Sequence, residues 1–291
     1  DRPIYPGILW MDTRARGLVA ELGSTRVHEL SGRPPDNTPS LYKIAWLLRH
    51  RPEAMARARH LADVSAYLHH RLVGRWVASS ASADCIGLFD MTRMAWSDEL
   101  VAHIGLDATL LPEVVAPGEQ IGLLDASAAQ LTGLPVGTPV IAGAGDGQCA
   151  ALGAGVHAFG GLYLNMGTAI VCGRSALEYS WDTAYRTVGS ADGRGYLLEA
   201  FTAAGTYLVN WFRDNLDASE PTADSSPEEE LQRAAAQLPP GSEGLLALPY
   251  WNAAQTPYWD SRARGALVGL TGRHGRPHLG AYRRRRGVVE V

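Results

Sequence analysis

The chain has 291 residues, enough for one large domain or two medium ones with a sizeable core. With 46% hydrophobic residues, 19% charged residues and a net charge of −4, it has the composition of a soluble globular protein, and nothing in it suggests nucleic acid or an anionic membrane as a partner. No apolar run approaches the roughly 20 residues that span a bilayer. The three cysteines are far apart and lack metal-ligand spacing, which favours a reducing cytoplasm over a disulfide framework.

The chain opens on a short apolar run at residues 7–10, which predicts a buried strand. Asp12 and Arg14 follow it and would lie at the strand's carboxyl end. Their simplest interpretation is a surface salt bridge.

A helix is predicted at residues 38–50, with Thr38 as N-cap and Pro39 at the first helical position. Lys43 falls on this helix, whose other face is apolar, so the ordinary interpretation is a solvated lysine. Glycines and acidic residues at the expected ends predict further helices at 65–72, from Ser97 to before Gly105, and at 126–132.

The most informative segment lies at residues 139–152. Pro139 to Ile141 predicts a buried strand, residues 142–147 a tight turn of small residues, and Gln148 the start of a helix. This order places Asp146 at the carboxyl end of a sheet, where open α/β folds bind ligands. A carboxylate there can accept a proton from a nucleophile. The alternative, that Asp146 only caps the following helix, is equally compatible with the spacing.

Downstream, two strands are predicted around a turn that contains Gly167 and Thr168. Backbone N–H groups in such a turn can bind phosphate, although the spacing alone favours a plain hairpin turn. The remaining elements predicted are strands at 196–200 and 244–249, helices at 203–216 and from 227, and a surface loop at 216–227. The alternation of strands and helices predicts an α/β fold, and by itself it does not predict a reaction.

Several segments occur together in a characteristic order: ILWMDTRA at 8–15, KIAWLL at 43–48, Ala83-Asp84 to Trp96, GAGDGQCAALGAG at 143–155, NMGTAIV at 165–171, Ala204-Gly205 to Asn210-Trp211, and residues 249–270 with Trp259-Asp260 and Ala263-Arg264-Gly265. In this order they resemble the conserved stretches of the FGGY carbohydrate kinases. The resemblance implies an α/β, actin-like and ribonuclease H-like pair of domains with a cleft between them. The first domain would be residues 1–156 and bind sugar, and the second would be residues 157–291 and bind MgATP.

The resemblance also assigns roles to residues. It makes Asp146 the general base, and it implies ATP and Mg²⁺ as cofactors, with no metal-ligand cluster in the chain itself. A small-molecule sugar and ATP would be the partners, neither nucleic acid nor a membrane is implied, and a homodimer in the cytoplasm is the assembly to test. The contacts it implies are Asp12, Arg14, Asp146 and Gly147 for the sugar, and Gly167, Thr168, Gly205 and Asn210 for the nucleotide.

The chain departs from the family pattern at both ends. The D-x-G-T phosphate loop that opens the family and the glycine-rich adenosine loop near its end have no counterpart, so the sequence is expected to be a fragment. Arg283 to Arg286 stand where the family has an amphipathic helix, and a shifted reading frame or a truncation would explain them.

Three hypotheses follow. The first is phosphorylation of a sugar, D-xylulose before gluconate, ribulose or glycerol, with D-xylulose 5-phosphate as product. The second is a noncatalytic remnant of such a kinase. The third is an actin-like phosphatase or ATPase that uses water in place of the sugar.

Overall fold

The computed structural model describes residues 2–156, 161–216 and 227–280. The arginine run at 283–286 lies outside these residues, as does the predicted surface loop apart from its two ends. The chain divides into two compact units: the first is Asp1–Tyr163 with Cys172–Ala200, and the second is Leu164–Val171 with Phe201–Val291. Among the described residues, no helix is both long and apolar enough to cross a membrane.

Up to residue 156, helices are interspersed with short strands. The helices are α1 (Arg16–Leu22), α2 (Thr25–Ser31), α3 (Ser40–His50), α4 (Pro52–Met55), α5 (Val64–Val73), α6 (Ser80–Ala83), α7 (Asp98–His103), α8 (Ala126–Thr132) and α9 (Asp146–Gly153). The strands are β1 (Val77–Ser79), β2 (Phe89–Asp90), β3 (Ala95–Trp96), β4 (Glu113–Val115), β5 (Gln120–Leu123) and β6 (Pro139–Ile141). Strand β1 pairs with β4 in parallel, whereas β2 with β3 and β5 with β6 are antiparallel pairs.

A four-stranded sheet follows, in the order β7-β8-β10-β9. Its strands are β7 (Leu162–Met166), β8 (Ile170–Ala176), β9 (Arg186–Gly189) and β10 (Tyr196–Thr202). After the sheet, the second unit contains α10 (Thr206–Leu216), α11 (Pro227–Ala235), the antiparallel pair β11 (Leu246–Leu248) and β12 (Ala266–Val268), and α12 (Arg276–Gly280), whereas β9 belongs to the first unit.

Side-chain caps explain why the predicted helices of the first unit form. Asp63, Ser97 and Asp125 each accept a hydrogen bond from the third backbone N–H of the helix that follows. Gly74 and Gly133 then end α5 and α8 in the left-handed conformation that glycine adopts without steric cost. The three predicted helices are confirmed. The sequence can predict them because each depends only on residues within the helix and at its ends.

The main core of the first unit lies among α1, α2, α3 and α7. It contains Leu41, Tyr42 and Ile44 from α3 together with Leu88 and Leu100. These positions bury the apolar stripe that was predicted on the helix at 38–50, and they make α3 the central element of this core.

The prediction of a buried strand at residues 7–10 is wrong. This segment has no strand, and Leu9 and Trp10 are 72% and 59% exposed. An apolar run forms a strand only where another strand pairs with it, and none does so among the described residues. Strand β6 is confirmed at Pro139–Ile141, but its predicted burial is wrong, since Pro139 and Ile141 are exposed.

The predicted cap of α3 is also wrong, by one residue. Pro39 is the N-cap and the helix begins at Ser40. Asp36 explains the shift, because its carboxylate accepts hydrogen bonds from the backbone N–H and the hydroxyl of Thr38 at 2.6 and 2.7 Å. This local turn holds Thr38 outside the helix.

Lys43 is buried, at 3% exposure, and the prediction of a solvated lysine is wrong. Its Nζ donates hydrogen bonds to the carbonyl oxygens of Trp10 at 3.1 Å, Thr38 at 3.2 Å and Asn37. Three acceptors match the three donors of an ammonium group. Lys43 therefore attaches the irregular segment at Trp10 to α3, and burial lowers the pKa of the amine to about 8.

In the second unit, the turn between β7 and β8 packs against the start of α10. Gly205 N–H donates to the carbonyl of Thr168 at 3.0 Å, and Thr206 N–H donates to that of Gly167 at 2.8 Å. A Cβ atom on Gly205 would lie 2.8 Å from the Thr168 oxygen and nearer still to the Gly167 oxygen. Only glycine lets the turn and the helix approach so closely.

Lys43 is the only lysine in the chain, so its titration can be measured without assignment. In protein labelled with ¹³C at lysine Cε, we expect a midpoint near the value of about 8 in the folded state and near 10.5 in urea. Because the lysine of the unfolded chain then binds more protons between these values, the contribution of Lys43 to the stability of the wild type should rise with pH across this window. The Lys43→Met variant should lack that rise. A folded-state midpoint above 10 would contradict the buried environment.

Gly205→Ala should destabilise the second unit by about 1–3 kcal/mol, because the added methyl group forces the β7–β8 turn away from α10. Gly272→Ala is the matched control, since a Cβ there meets nothing within 4 Å. Thermal denaturation of the two variants measures the difference. Equal melting temperatures would show that the turn and the helix do not pack as described.

Candidate active site

Asp146 is the first residue of α9, and its side chain is exposed. Gly145 is the N-cap, so the helix begins two residues before the predicted start at Gln148. The Asp146 carboxylate accepts a hydrogen bond from the adjacent Gly147 N–H at 2.8 Å. Because it lies in the first turn, it has the position in which a helix dipole favours an anion, and it is open to solvent.

The turn before Asp146 is held in place by Gln148, a buried residue of the same helical turn. Its side-chain amide donates to the carbonyl of Ala81 at 2.8 Å, and the Gly145 N–H donates to the same oxygen at 3.1 Å. A Cβ on Gly145 would collide with the Gln148 side chain. A larger residue at this position would have to displace the Gln148 amide from the turn.

Asp84 accepts hydrogen bonds near the same turn and is fully buried. Its Oδ2 accepts from Gly189 N–H at 2.7 Å and from Gln148 Nε2 at 3.3 Å, and Arg33 Nη2 lies 3.7 Å from Oδ1. Burial raises the pKa of Asp84, while the Arg33 charge and the Gly189 N–H oppose that rise.

Glu199 is a second buried carboxylate of the first unit, 1% exposed. Arg186 Nε donates to its Oε2 at 2.7 Å, and the Tyr163 hydroxyl donates to Oε1. Burial alone would raise the pKa of Glu199, but Arg186 and Tyr163 hold it below its ordinary value. A Cβ on Gly147 would lie 3.8 Å from Oε1, so this carboxylate lies close to the residue that follows Asp146.

Asp12 and Arg14 form a two-point ion pair, with Nε–Oδ1 and Nη2–Oδ2 distances of 2.9 and 2.8 Å. The guanidinium also donates to the Tyr5 hydroxyl at 3.0 Å, and its Cζ lies 5.0 Å from the centre of the Trp46 ring. The Arg14 hydrogen bonds lower the pKa of Asp12 to about 2. Helix α3 therefore contacts this segment twice, through Lys43 at the backbone and through Trp46 at Arg14.

The predicted nucleotide residues Gly167, Thr168 and Gly205 lie together in the second unit. Because the Gly167 and Thr168 carbonyls point at the start of α10, the N–H groups on the other side of these trans peptides point away from it. Asn210 is exposed and follows Thr206 by four residues, which places both on the same face of α10.

Asp84, Gln148 and Glu199 were not predicted as site residues. The sequence does contain an indication of Glu199, which is the one charged residue in the apolar strand YLLEAF. Gln148 left a weaker one, because it stands three residues after the N-cap, where a side chain can reach back to the turn. Asp84 left none, since its donors come from residues far away in sequence.

Within the residues that the structure describes, no three His, Cys, Asp or Glu side chains are arranged to hold a metal ion.

Two family models match the chain. One describes the N-terminal domain of the FGGY family of carbohydrate kinases and matches residues 1–153, and the other describes the C-terminal domain of that family and matches residues 162–282. The predicted domain boundary between residues 156 and 157 stays a prediction.

The individual relatives that match the chain are named for different substrates. The chain is 30% identical to a glycerol kinase from Janthinobacterium sp., covering 96% of the chain and 57% of that protein. It is 26% identical to a gluconokinase from Bacillus subtilis, covering 96% and 56%, and 28% identical to a xylulose kinase from Lactococcus lactis, covering 96% and 55%. The chain therefore spans little more than half the length of these relatives.

A solved structure of ligand-bound xylulose kinase from Lactobacillus acidophilus superimposes with a TM-score of 0.83 at 26% identity, covering 94% of the chain and 56% of that structure. This likeness confirms the predicted α/β, actin-like fold. Because the two family models together match most of its residues, the chain belongs to the FGGY family of carbohydrate kinases.

Proposed function

We propose that the protein transfers the γ-phosphoryl group of ATP to a hydroxyl group of a sugar, with Asp146 as the general base. The observation that carries the proposal is the exposed Asp146 carboxylate at the start of α9, on a turn that Gln148 and Ala81 hold in place. Phosphoryl transfer asks a protein chiefly to position the reactants, neutralise charge and accept one proton. An exposed, ordered carboxylate is suited to the last of these tasks.

The sugar contacts that we propose lie in the first unit. The Asp12–Arg14 pair presents both a carboxylate and a guanidinium, and its attachment to α3 restricts the freedom of both side chains. A rigid pair of this kind can hydrogen-bond neighbouring hydroxyl groups with little loss of entropy on binding. Gly147 has no side chain and so leaves room for a ligand beside Asp146.

The nucleotide contacts that we propose are Gly167, Thr168, Gly205 and Asn210. The N–H groups that point away from α10 in the β7–β8 turn are donors suited to phosphate oxygens, and the exposed Thr168 hydroxyl adds one more. Mg²⁺ bound with ATP would neutralise phosphate charge, and such an ion is held largely by phosphate oxygens, water and one or two carboxylates.

For the substrate, we propose D-xylulose, with gluconate and glycerol as the first alternatives. Relatives that are named for each of these three substrates match the chain at similar identity, which supports a sugar or polyol and leaves the choice to experiment. The two hypotheses of another class are a noncatalytic remnant and an ATPase that uses water. They predict no phosphorylated sugar.

Asp146→Asn should lower kcat by about 100- to 10,000-fold without unfolding the protein, because the amide cannot accept the hydroxyl proton. Asp98→Asn is the matched control, since Asp98 is also an exposed carboxylate at the first position of a helix, α7. A coupled ADP-release assay with each of the three substrates measures both variants. Turnover by the Asp146 variant at the rate of the control would end the assignment of the base.

Asp12→Asn should raise KM for the sugar by about 10- to 100-fold and leave KM for ATP unchanged, because it weakens a charge-assisted contact to the substrate. Glu21→Gln provides a comparison, since Glu21 forms an equivalent two-point pair with Arg49 at the surface. Initial rates with each substrate varied in turn separate the two constants. An equal rise in both KM values would contradict a role confined to the sugar.

A further inference from the structure

Asp84 lies where three segments of the first unit converge. Arg33 comes from the connection between α2 and α3, Gln148 from the first turn of α9, and Gly189 from the end of β9. Gln148 Nε2 and Gly189 N–H donate hydrogen bonds to the carboxylate at 3.3 and 2.7 Å, and Arg33 Nη2, which donates to Cys85 Sγ, lies 3.7 Å from it as an ion-pair partner. An ionised carboxylate only accepts hydrogen bonds and carries a negative charge, so it can satisfy these two donors and the Arg33 cation from three directions at once.

Gln148 links this carboxylate to the turn that carries Asp146. Its Nε2 is shared between Asp84 and the Ala81 carbonyl, which also accepts from Gly145 N–H. Turning the amide over would place its oxygen against these acceptors, so the network fixes one orientation. Gln148 follows Asp146 by two residues, and fixing its side chain fixes the helical turn to which Asp146 belongs.

We infer that Asp84 is a positioning residue that acts through Gln148 to hold the first turn of α9, and with it Asp146, in a single orientation. The contact of Asp84 with Gln148 stands apart from any reaction, whereas its kinetic consequence rests on the proposed function. Removing the carboxylate leaves the fold of α9 intact in its later turns and loosens its first turn.

The test is a double-mutant cycle on the whole 291-residue chain. Asp84→Asn keeps the shape of the side chain but replaces an acceptor with a donor, and Gln148→Met keeps the volume but removes the amide. Hydrogen exchange of the Gly145 amide, without substrate, should quicken at least about 10-fold in each variant. Because both changes break one chain of contacts, the double variant should exchange no faster than the faster single variant. Glu99→Gln, an exposed carboxylate on α7, should leave this exchange unchanged.

The second readout is kinetic. In both single variants kcat should fall while KM for ATP stays at the wild-type value, a separation that general destabilisation would not produce. Wild-type exchange at Gly145 in the Asp84 variant, or full addition of the two effects, would overturn the inference. If Asp84→Asn does not fold, Gln148→Met decides alone, and unchanged exchange in it has the same consequence. If the variants show the expected exchange pattern but the wild-type chain does not phosphorylate a sugar, the proposed function is refuted and the positioning role of Asp84 still stands.

Discussion

A carboxylate can be buried in a protein only where donors satisfy its oxygens, and Asp84 and Glu199 are the two buried carboxylates among the described residues of the first unit. Their partners come from α9, from β7, from β9 and from the connection before α3, so these segments must all be in place before both carboxylates are satisfied. Removing one partner of such a pair typically costs about 3–5 kcal/mol, because it leaves the other charge buried and uncompensated. The turn that carries Asp146 is ordered because it belongs to this network.

The groups that we propose to contact the substrates lie at the protein surface and are held by residues of regular elements. Asp146 is exposed while Gln148, two residues later, is buried, so one helical turn contains both the proposed base and the side chain that holds the turn in place. Helix α3 holds Asp12 and Arg14 in place, because Lys43 and Trp46 contact the segment to which these two residues belong. In the second unit, the β7–β8 turn directs its carbonyls toward α10 and its amides the other way. Each of the proposed contact groups is thus supported by a regular element.

How well the sequence predicts this structure depends on how far apart the interacting residues lie. The helices α5, α7 and α8 and the turn at Asp146 are encoded within a few residues, and the sequence predicts them. The burial of Lys43 depends on Trp10, 33 residues away, and that of Asp84 on Gly189, 105 residues away. No local pattern indicates such contacts. The prediction of a buried strand at residues 7–10 is wrong for a related reason, since hydrophobicity indicates burial but does not supply a partner strand.

The proposed function depends on the transfer of phosphate to a sugar and not to water. It is tested most directly by ³¹P NMR of the products formed when the chain is incubated with MgATP and each of D-xylulose, gluconate and glycerol. With one of the three, we expect a phosphomonoester signal that grows at the rate at which the γ-phosphate signal of ATP declines. Inorganic phosphate as the sole product, or an unchanged ATP spectrum with all three, would contradict it.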